Sequence, residues 1–308
     1  MSITLRQIHY FLAVAETGKM ALAASNIGVS QSSITEAVKA LEEGMGVSLL
    51  RRHRAGVSLT NEGYQFLRHA RNVTSAVADA SHAVKRSLTR VSGTLTLGVT
   101  YTVAGYFLPA PLERFRRAFP EIEIRLIELE RGVIERKIVR EELDLGMILV
   151  SNLRSAELEH EVLVRSRRRL WLSAHHKLLR QKRITLAEVA GEPYIMLTVD
   201  EANRTALRWW RRAGLKPRII FETSSVEAVR SMVANGAGVA ILSDMVYRPW
   251  SLEGDRVEAR TVHGAVPSMD VGITWKREHA LGEPAAAFVE FFNITFNNAV
   301  ASRHSAYE

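Results

Sequence analysis

The sequence predicts a multidomain chain of α followed by α/β class. A small winged helix-turn-helix unit and one long linker helix precede two α/β lobes. Three observations carry this. Met20–Arg54 places two short helices around a glycine and ends in an arginine cluster. The apolar spacing changes at Gly93 from helical steps to strict alternation. Beyond Gly93, strands and helices alternate in two successive series, the pattern of α/β proteins.

The elements follow in order. Thr4 and Gln7 have capping-box spacing, and Leu5, Ile8, Phe11, Leu12 and Ala15 continue as an apolar stripe, which predicts the first helix. Met20, Ala23, Ala24 and Ile27 predict a short second helix with room for a close neighbour. Gly28 supplies the turn, Val29 a core plug and Ser30 an N-cap. In the third helix Ile34, Val38 and Leu41 form the buried seam. Ser32, Thr35 and Lys39 share the opposite face, with Gln31 near its exposed start. Short hydroxyls, an amide and one cation approach base edges and phosphates closely. Leu49-Leu50, Arg51 to Arg54 and then Gly56, Val57 and Leu59 read as a two-stranded wing with a basic tip. An arginine cluster by itself is ordinary solvated surface. In the order helix, turn, helix, wing it becomes a cationic grip beside a rod that fits the major groove.

From Asn61 to Arg90 there is no proline, and Phe66, Ala70, Val73, Val77, Ala80, Val84 and Leu88 lie close to a heptad seam. Such a stripe either packs on its own body or pairs with a second helix. A helix standing alone between domains favours pairing, and two half-sites on DNA require two reading helices.

After Gly93, Leu95, Leu97 and Val99 alternate as a strand, and a helix from Leu108 to Phe119 stops at Pro120. Ile122 to Leu126, Val133 to Glu141 and Leu143 to Val150 follow as strand, helix and strand, which implies a parallel sheet. The second series runs Arg169–Ala174, a short helix near Leu186, Tyr194–Leu197, Ala202–Ala213, Ile219–Phe221, Val226–Asn235 and Gly238–Leu242. Crossing strands near Val162–Arg165 and Val262–Val266 join the halves, and Met269–Trp275 with the helix Ala285–Phe296 returns to the first. A cleft between two such lobes is where α/β proteins place small ligands.

Residues 4–63 closely resemble the N-terminal domain of LysR-type transcriptional regulators, through TLRQIHYFLAVAETG, AA, VSQSSIT, LEEGMGVSLLRR and LTNEG in register. The size and halves of the remaining chain fit the same family. The resemblance implies a DNA-binding domain over 1–60, a linker and dimerisation helix over 61–90 and an effector-binding domain over 91–308. The last resembles the two-lobed type 2 periplasmic binding proteins, with lobe I at about 93–162 and 267–308 and lobe II at about 163–266. It implies that Gln31, Ser32, Ser33, Thr35 and Lys39 face double-stranded operator DNA, with Arg51, Arg52 and Arg54 on its backbone. It also implies a homodimer through the linker helix, a homotetramer of two dimers, contact with RNA polymerase and a small-molecule effector. Lys19, Leu22 and Ser32 depart from the pattern, at places where the family prefers a small cap, a polar or basic residue and a proline.

Candidate effector contacts lie where strands end. Thr100, Tyr101 and Thr102 stand at the mouth of a helix, where they either cap it or hold an anion. Arg131 ends a strand at a place the family also uses, and it either clamps a carboxylate in a fork or pairs with Glu128 or Glu130. Thr198 and Ser224 are the candidates from the second lobe. Gly236-x-Gly238 precedes a strand and reads as a turn, His175-His176 lacks acidic company, Arg167–Arg169 reads as solvated charge, and Trp209-Trp210 as a helix anchor.

Composition agrees. The 308 residues are 47% hydrophobic and 24% charged, with a net charge of +8. Residues 1–92 hold eleven basic against six acidic residues, and the remaining 216 hold 30 against 27. The excess therefore sits where a polyanion would be met. The absence of cysteine excludes disulfides, thiolate metal sites and cysteine nucleophiles. With no secretory signal and no apolar run of spanning length, the expectation is a cytoplasmic protein without membrane or cofactor. No nucleophile has an evident base and orienter. The alternative is a small-molecule-binding protein or enzyme whose N-terminal region serves oligomerisation only.

Overall fold

The computed structural model describes residues 3–53, 56–85 and 91–301. The chain divides into two compact units, one of residues 1–90 with 290–308 and one of residues 91–289.

The N-terminal unit contains α1 (Leu5–Thr17), α2 (Met20–Ile27), α3 (Gln31–Met45), β1 (Leu50–His53), β2 (Gly56–Leu59) and α4 (Asn61–Lys85). The capping box forms as its spacing requires: the Thr4 hydroxyl accepts from the Gln7 amide at 3.2 Å, and Gln7 Oε1 accepts from the Thr4 amide at 2.8 Å. Gly28 ends α2 at φ 73°, left-handed backbone that a side chain would resist. Phe11, Val14, Ala23, Ile34, Val38, Leu41 and Leu49 are buried in one core, each large side chain worth roughly 1.5–3 kcal/mol. The seam of α4 divides. Ala70 is only 1% exposed in that same core, and Phe66 meets Phe11 edge-to-face at 5.0 Å, whereas Val73 and Val77 remain 41% exposed. The first part of the helix therefore has a body beside it, contrary to the picture of a lone connector. Leu88 lies outside the described residues.

The C-terminal unit begins with β3 (Gly93–Val99), α5 (Tyr101–Tyr106), α6 (Pro109–Ala118), β4 (Ile122–Glu128), α7 (Arg131–Val139), β5 (Leu145–Leu149) and β6 (Leu158–Ser166). It continues through β7 (Arg168–Ser173), β8 (Ile184–Thr185), α8 (Leu186–Ala190), β9 (Pro193–Leu197), α9 (Ala202–Arg212), β10 (Arg218–Thr223) and α10 (Val226–Ala234). The last elements are β11 (Ala240–Ser243), β12 (Val257–Arg260), β13 (Val262–His263), β14 (Met269–Lys276) and α11 (Glu283–Ala301).

Lobe I is built on the sheet β4-β3-β5-β14-β6. The first three strands are parallel, as βαβ connections require, but β14 runs antiparallel to both β5 and β6. The expected parallel sheet is thus mixed, because its last strand arrives from the second lobe rather than through a helical crossover. Lobe II pairs β9 with β10 in parallel and β11-β7-β12 antiparallel, with a Tyr194–Val239 bridge between the two groups. Its core buries Leu170, Leu172, Tyr194, Trp209, Trp210 and Ile241. Chain passes between the lobes at Ser166–Arg168 and again between His263 and Met269.

Candidate functional site

The first site is the outer face of α3. Ser30 caps the helix by accepting from the Ser33 amide at 3.1 Å, and its hydroxyl lies 2.8 Å from those of Ser32 and Ser33. Gln31, Ser32, Ser33 and Lys39 are exposed and Thr35 is half-buried, while Ile34, Val38 and Leu41 are turned inward. Lys39 reaches Glu43 at 3.4 Å with both side chains largely in water, a pairing worth at most a few tenths of a kcal/mol and easily exchanged for a phosphate. Lys19, off the family pattern, stands at the N-cap of α2 with no side-chain capping bond, and Leu22 is 45% exposed.

The wing is fastened from three sides. Glu42 Oε1 on α3 accepts from the Leu49 and Leu50 amides at 2.7 and 2.9 Å. The Val57 amide donates to Gly18 O at the end of α1, at 2.8 Å. Thr60 donates to Ser48 O at 2.7 Å and caps α4 at Gly63. Gly56 has φ 138°, and a Cβ there would lie 2.4 Å from Gly18 O. Arg51 and Arg52 are exposed opposite Ser58 and Val57. Adjacent strand residues face opposite sides of the ribbon, so each arginine serves a different face. Arg54 lies outside the described residues.

The second site is the inter-lobe cleft. Thr100 follows β3 at the N-cap of α5, buried, with its hydroxyl lacking a hydrogen-bond partner among the described residues. Tyr101 is 39% exposed and Thr102 buried. The Thr102 amide donates to Asp200 Oδ2 at 2.7 Å. Arg131 grips Glu201 in a fork, Nη2 to Oε1 at 2.9 Å and Nε to Oε2 at 3.1 Å, and also bonds Glu135. Its carboxylate partners are therefore Glu201 and Glu135, the latter one helical turn along α7, rather than Glu128 or Glu130. Asp200 and Glu201 belong to lobe II, between β9 and α9, at φ 50° and 60°. Holding each there costs roughly 1–2 kcal/mol. Burial pushes the Asp200 carboxyl up from its usual range against the hydrogen bonds from Thr102, whereas Arg131 holds the Glu201 carboxyl down.

Asn152 of lobe I continues the seam, donating to Asp200 O at 3.4 Å and accepting from the Thr205 hydroxyl at 3.0 Å. The Tyr106 hydroxyl donates to Glu227 at 3.3 Å, and burial followed by that carboxylate raises its pKa. At the crossing, Arg168 Nη1 donates to the carbonyls of Pro267 at 2.6 Å and Ser268 at 2.5 Å. Burial brings its guanidinium down to about 10, still charged at neutral pH. Thr102, Asn152, Arg168, Asp200, Thr205 and Ser243 are among the residues lining a cavity between the lobes.

Of the residues picked from sequence, Thr100, Thr102 and Arg131 meet this seam. Thr198 is half-buried where its amide donates to Thr223 O at 2.8 Å. Ser224 is exposed, and its neighbour Ser225 caps α10 instead. The Arg167–Arg169 run is solvated only in part, because Arg168 ties the crossing strands and Arg169 bonds Asp244. His176 caps a short 3-10 turn, Gly236 forms a turn at φ 78°, and Trp209 and Trp210 are buried.

A family model described as "Bacterial regulatory helix-turn-helix protein, lysR family" matches residues 5–64. A second, "LysR substrate binding domain", matches residues 89–296. The chain belongs to the LysR family. It is a DNA-binding transcriptional regulator rather than an enzyme. It is 31% identical to the HTH-type transcriptional regulator YnfL of Escherichia coli, across 79% of this chain and 82% of that one. It is 28% identical to AlsR of Bacillus subtilis, across 81% and 83%. Among solved structures it is similar to HinK, a LysR family transcriptional regulator from Pseudomonas aeruginosa, with a TM-score of 0.61 and 28% identity across 94% and 97% of the chains.

In this LysR-family regulator, sequence reasoning missed Asn152, Arg168, Asp200 and Glu201. Acidic residues just before a helix normally signal favourable interaction with its dipole, which hides a contact made 70 residues away. No described helix is long and apolar enough to cross a membrane.

Proposed function

We propose that the regulator responds to a small organic anion bound between its lobes, with Thr100, Tyr101, Thr102 and Arg131 contributed by lobe I and Thr198 and Ser224 by lobe II. One observation carries this reading. The lobe I donors already donate to carboxylates, at 2.7 Å from the Thr102 amide and in a two-point fork from Arg131. A backbone amide beside a guanidinium fork is the chemistry that recognises an acidic metabolite. The buried hydroxyl of Thr100 adds one uncommitted polar group. The DNA end works through Gln31, Ser32, Ser33, Thr35 and Lys39 in the groove, with Arg51, Arg52 and Arg54 on phosphates. Two chains pair through α4, two such pairs form a tetramer, and the effector alters the placement of the reading heads and contact with RNA polymerase. The protein acts in the cytoplasm.

Small mono- and dicarboxylates screened by thermal shift test the anion reading. The expected outcome is stabilisation of the wild type by at least one acid, lost in Arg131→Ala; equal stabilisation of both proteins removes Arg131 from the site. For DNA, Arg52→Ala is expected to weaken binding similarly on all sequences and to reduce the slope of log affinity against log salt by about one. An unchanged slope takes Arg52 off the phosphate backbone.

A further inference from the structure

Both carboxylate-accepting positions of lobe I are filled by the chain itself. Asp200 sits on the Thr102 amide and Glu201 in the Arg131 fork, and both contacts run from lobe II to lobe I. We propose that Asp200 and Glu201 form a built-in latch whose carboxylates hold the lobes together without effector, so that effector binding begins with their displacement. This rests on the anion reading for what displaces the latch, but not for the latch itself.

Occupancy of the fork makes the displacement necessary. Arg131 contributes one positive charge, and Glu135 and Glu201 on it contribute two negative ones. Arg204 also lies 3.7 Å from Glu201, so the charges there are near balance; it is the occupied fork that requires Glu201 to leave before an acid is seated in it. Asp200 itself lines the cavity between the lobes, so an acid bound on the Thr102 amide has to take its place. The segment is also poised for release. Two consecutive non-glycine residues are held in left-handed backbone, and burial disfavours the charged form of Asp200. Asn152 extends the same seam by holding the Asp200 carbonyl and the Thr205 hydroxyl, so the closed state is registered along several elements.

The absence of cysteine makes the test direct. Arg140→Cys and Lys216→Cys place one spin label on an exposed position of each lobe, in full-length protein diluted with unlabelled chains. In a double variant, Glu201→Gln removes the charge in the Arg131 fork at nearly constant size, and Asp200→Gly removes the acceptor of the Thr102 amide in left-handed backbone that glycine adopts freely. The expected result is a longer and broader inter-label distance than in the latched protein, together with glutarate binding at least about fivefold tighter because the internal competitor is gone. Arg131→Ala, with its fold checked by circular dichroism, lengthens the distance in the same way. An unchanged distance in both variants overturns the latch, and equal glutarate affinity with and without the acidic pair overturns displacement. A longer distance with none of the screened mono- and dicarboxylates bound by either protein sustains the latch and removes the anion reading.

Discussion

Gly56 shows how little freedom the wing has. Its φ of 138° suits glycine, and a Cβ would strike Gly18 O at 2.4 Å, the carbonyl that receives the Val57 amide. Gly56→Ala is therefore expected to destabilise the N-terminal unit by about 1–3 kcal/mol, visible as a lower thermal midpoint and weaker DNA retention. Gly105 in α5 is the contrast, with ordinary helical backbone and open space where a methyl group would stand; alanine there is expected to raise stability by about 0.5–1 kcal/mol. Residues of the first kind were partly legible. Thr4, Ser30 and Gly28 announce their roles through local spacing, because a cap or a turn is settled within a few residues. Asp200 and Glu201 announce nothing, because their partners Thr102 and Arg131 are brought to them only by the closed lobes.

At the scale of elements, α4 carries one stripe with two uses. Phe66 and Ala70 complete the core of the DNA-binding unit, while Val73 stands 41% exposed on the same heptad line. Val73→Glu is expected to weaken self-association in sedimentation without lowering the thermal midpoint of the N-terminal unit, since no core contact is lost. Ala70→Glu is expected to unfold that unit, because it buries an unpaired charge. A monomer–dimer balance unmoved by Val73→Glu would end the pairing role of the exposed stretch. The periodicity was legible as a seam, but its division was not. Where the core of a domain ends along a continuous helix depends on α1, which contributes Phe11 from more than fifty residues upstream.

For the two-lobed unit as a whole, closure should depend on acid. The Glu201 carboxyl titrates below its ordinary 4.5 because Arg131 bonds its charged form. Its contribution is therefore fully present above that value and is lost as pH falls through the lowered one. Asp200 has the opposite sign, since its raised pKa favours the closed form as it protonates. Denaturant unfolding of wild type and Glu201→Gln is expected to differ at pH 7 and to converge as pH falls through the lowered Glu201 value; a gap that persists in strong acid would show that the ion pair with Arg131 is not its source. Alternation along the chain was enough to read two α/β lobes, since each strand and helix declares itself locally. The return of Met269–Lys276 to the first lobe was legible too, but its antiparallel placement between β5 and β6 was not, because nothing in the strand states its direction or its neighbours.

The shared core around Phe66 and Ala70 has a mechanical meaning. Head and stalk form a single solid lever, with the wing strapped to α1 and α1 packed on the stalk. A lever of this kind does not absorb a twist applied to its handle; it passes the twist to its tip. In the proposed pairing along α4, two of them joined along their shafts would behave as calipers, and their grip on an operator would depend on the gap between half-sites as well as on the letters within each. A base pair added to that gap rotates one half-site away from the groove-facing tip by about a tenth of a turn, so such calipers reject by spacing what their fingers would accept by sequence.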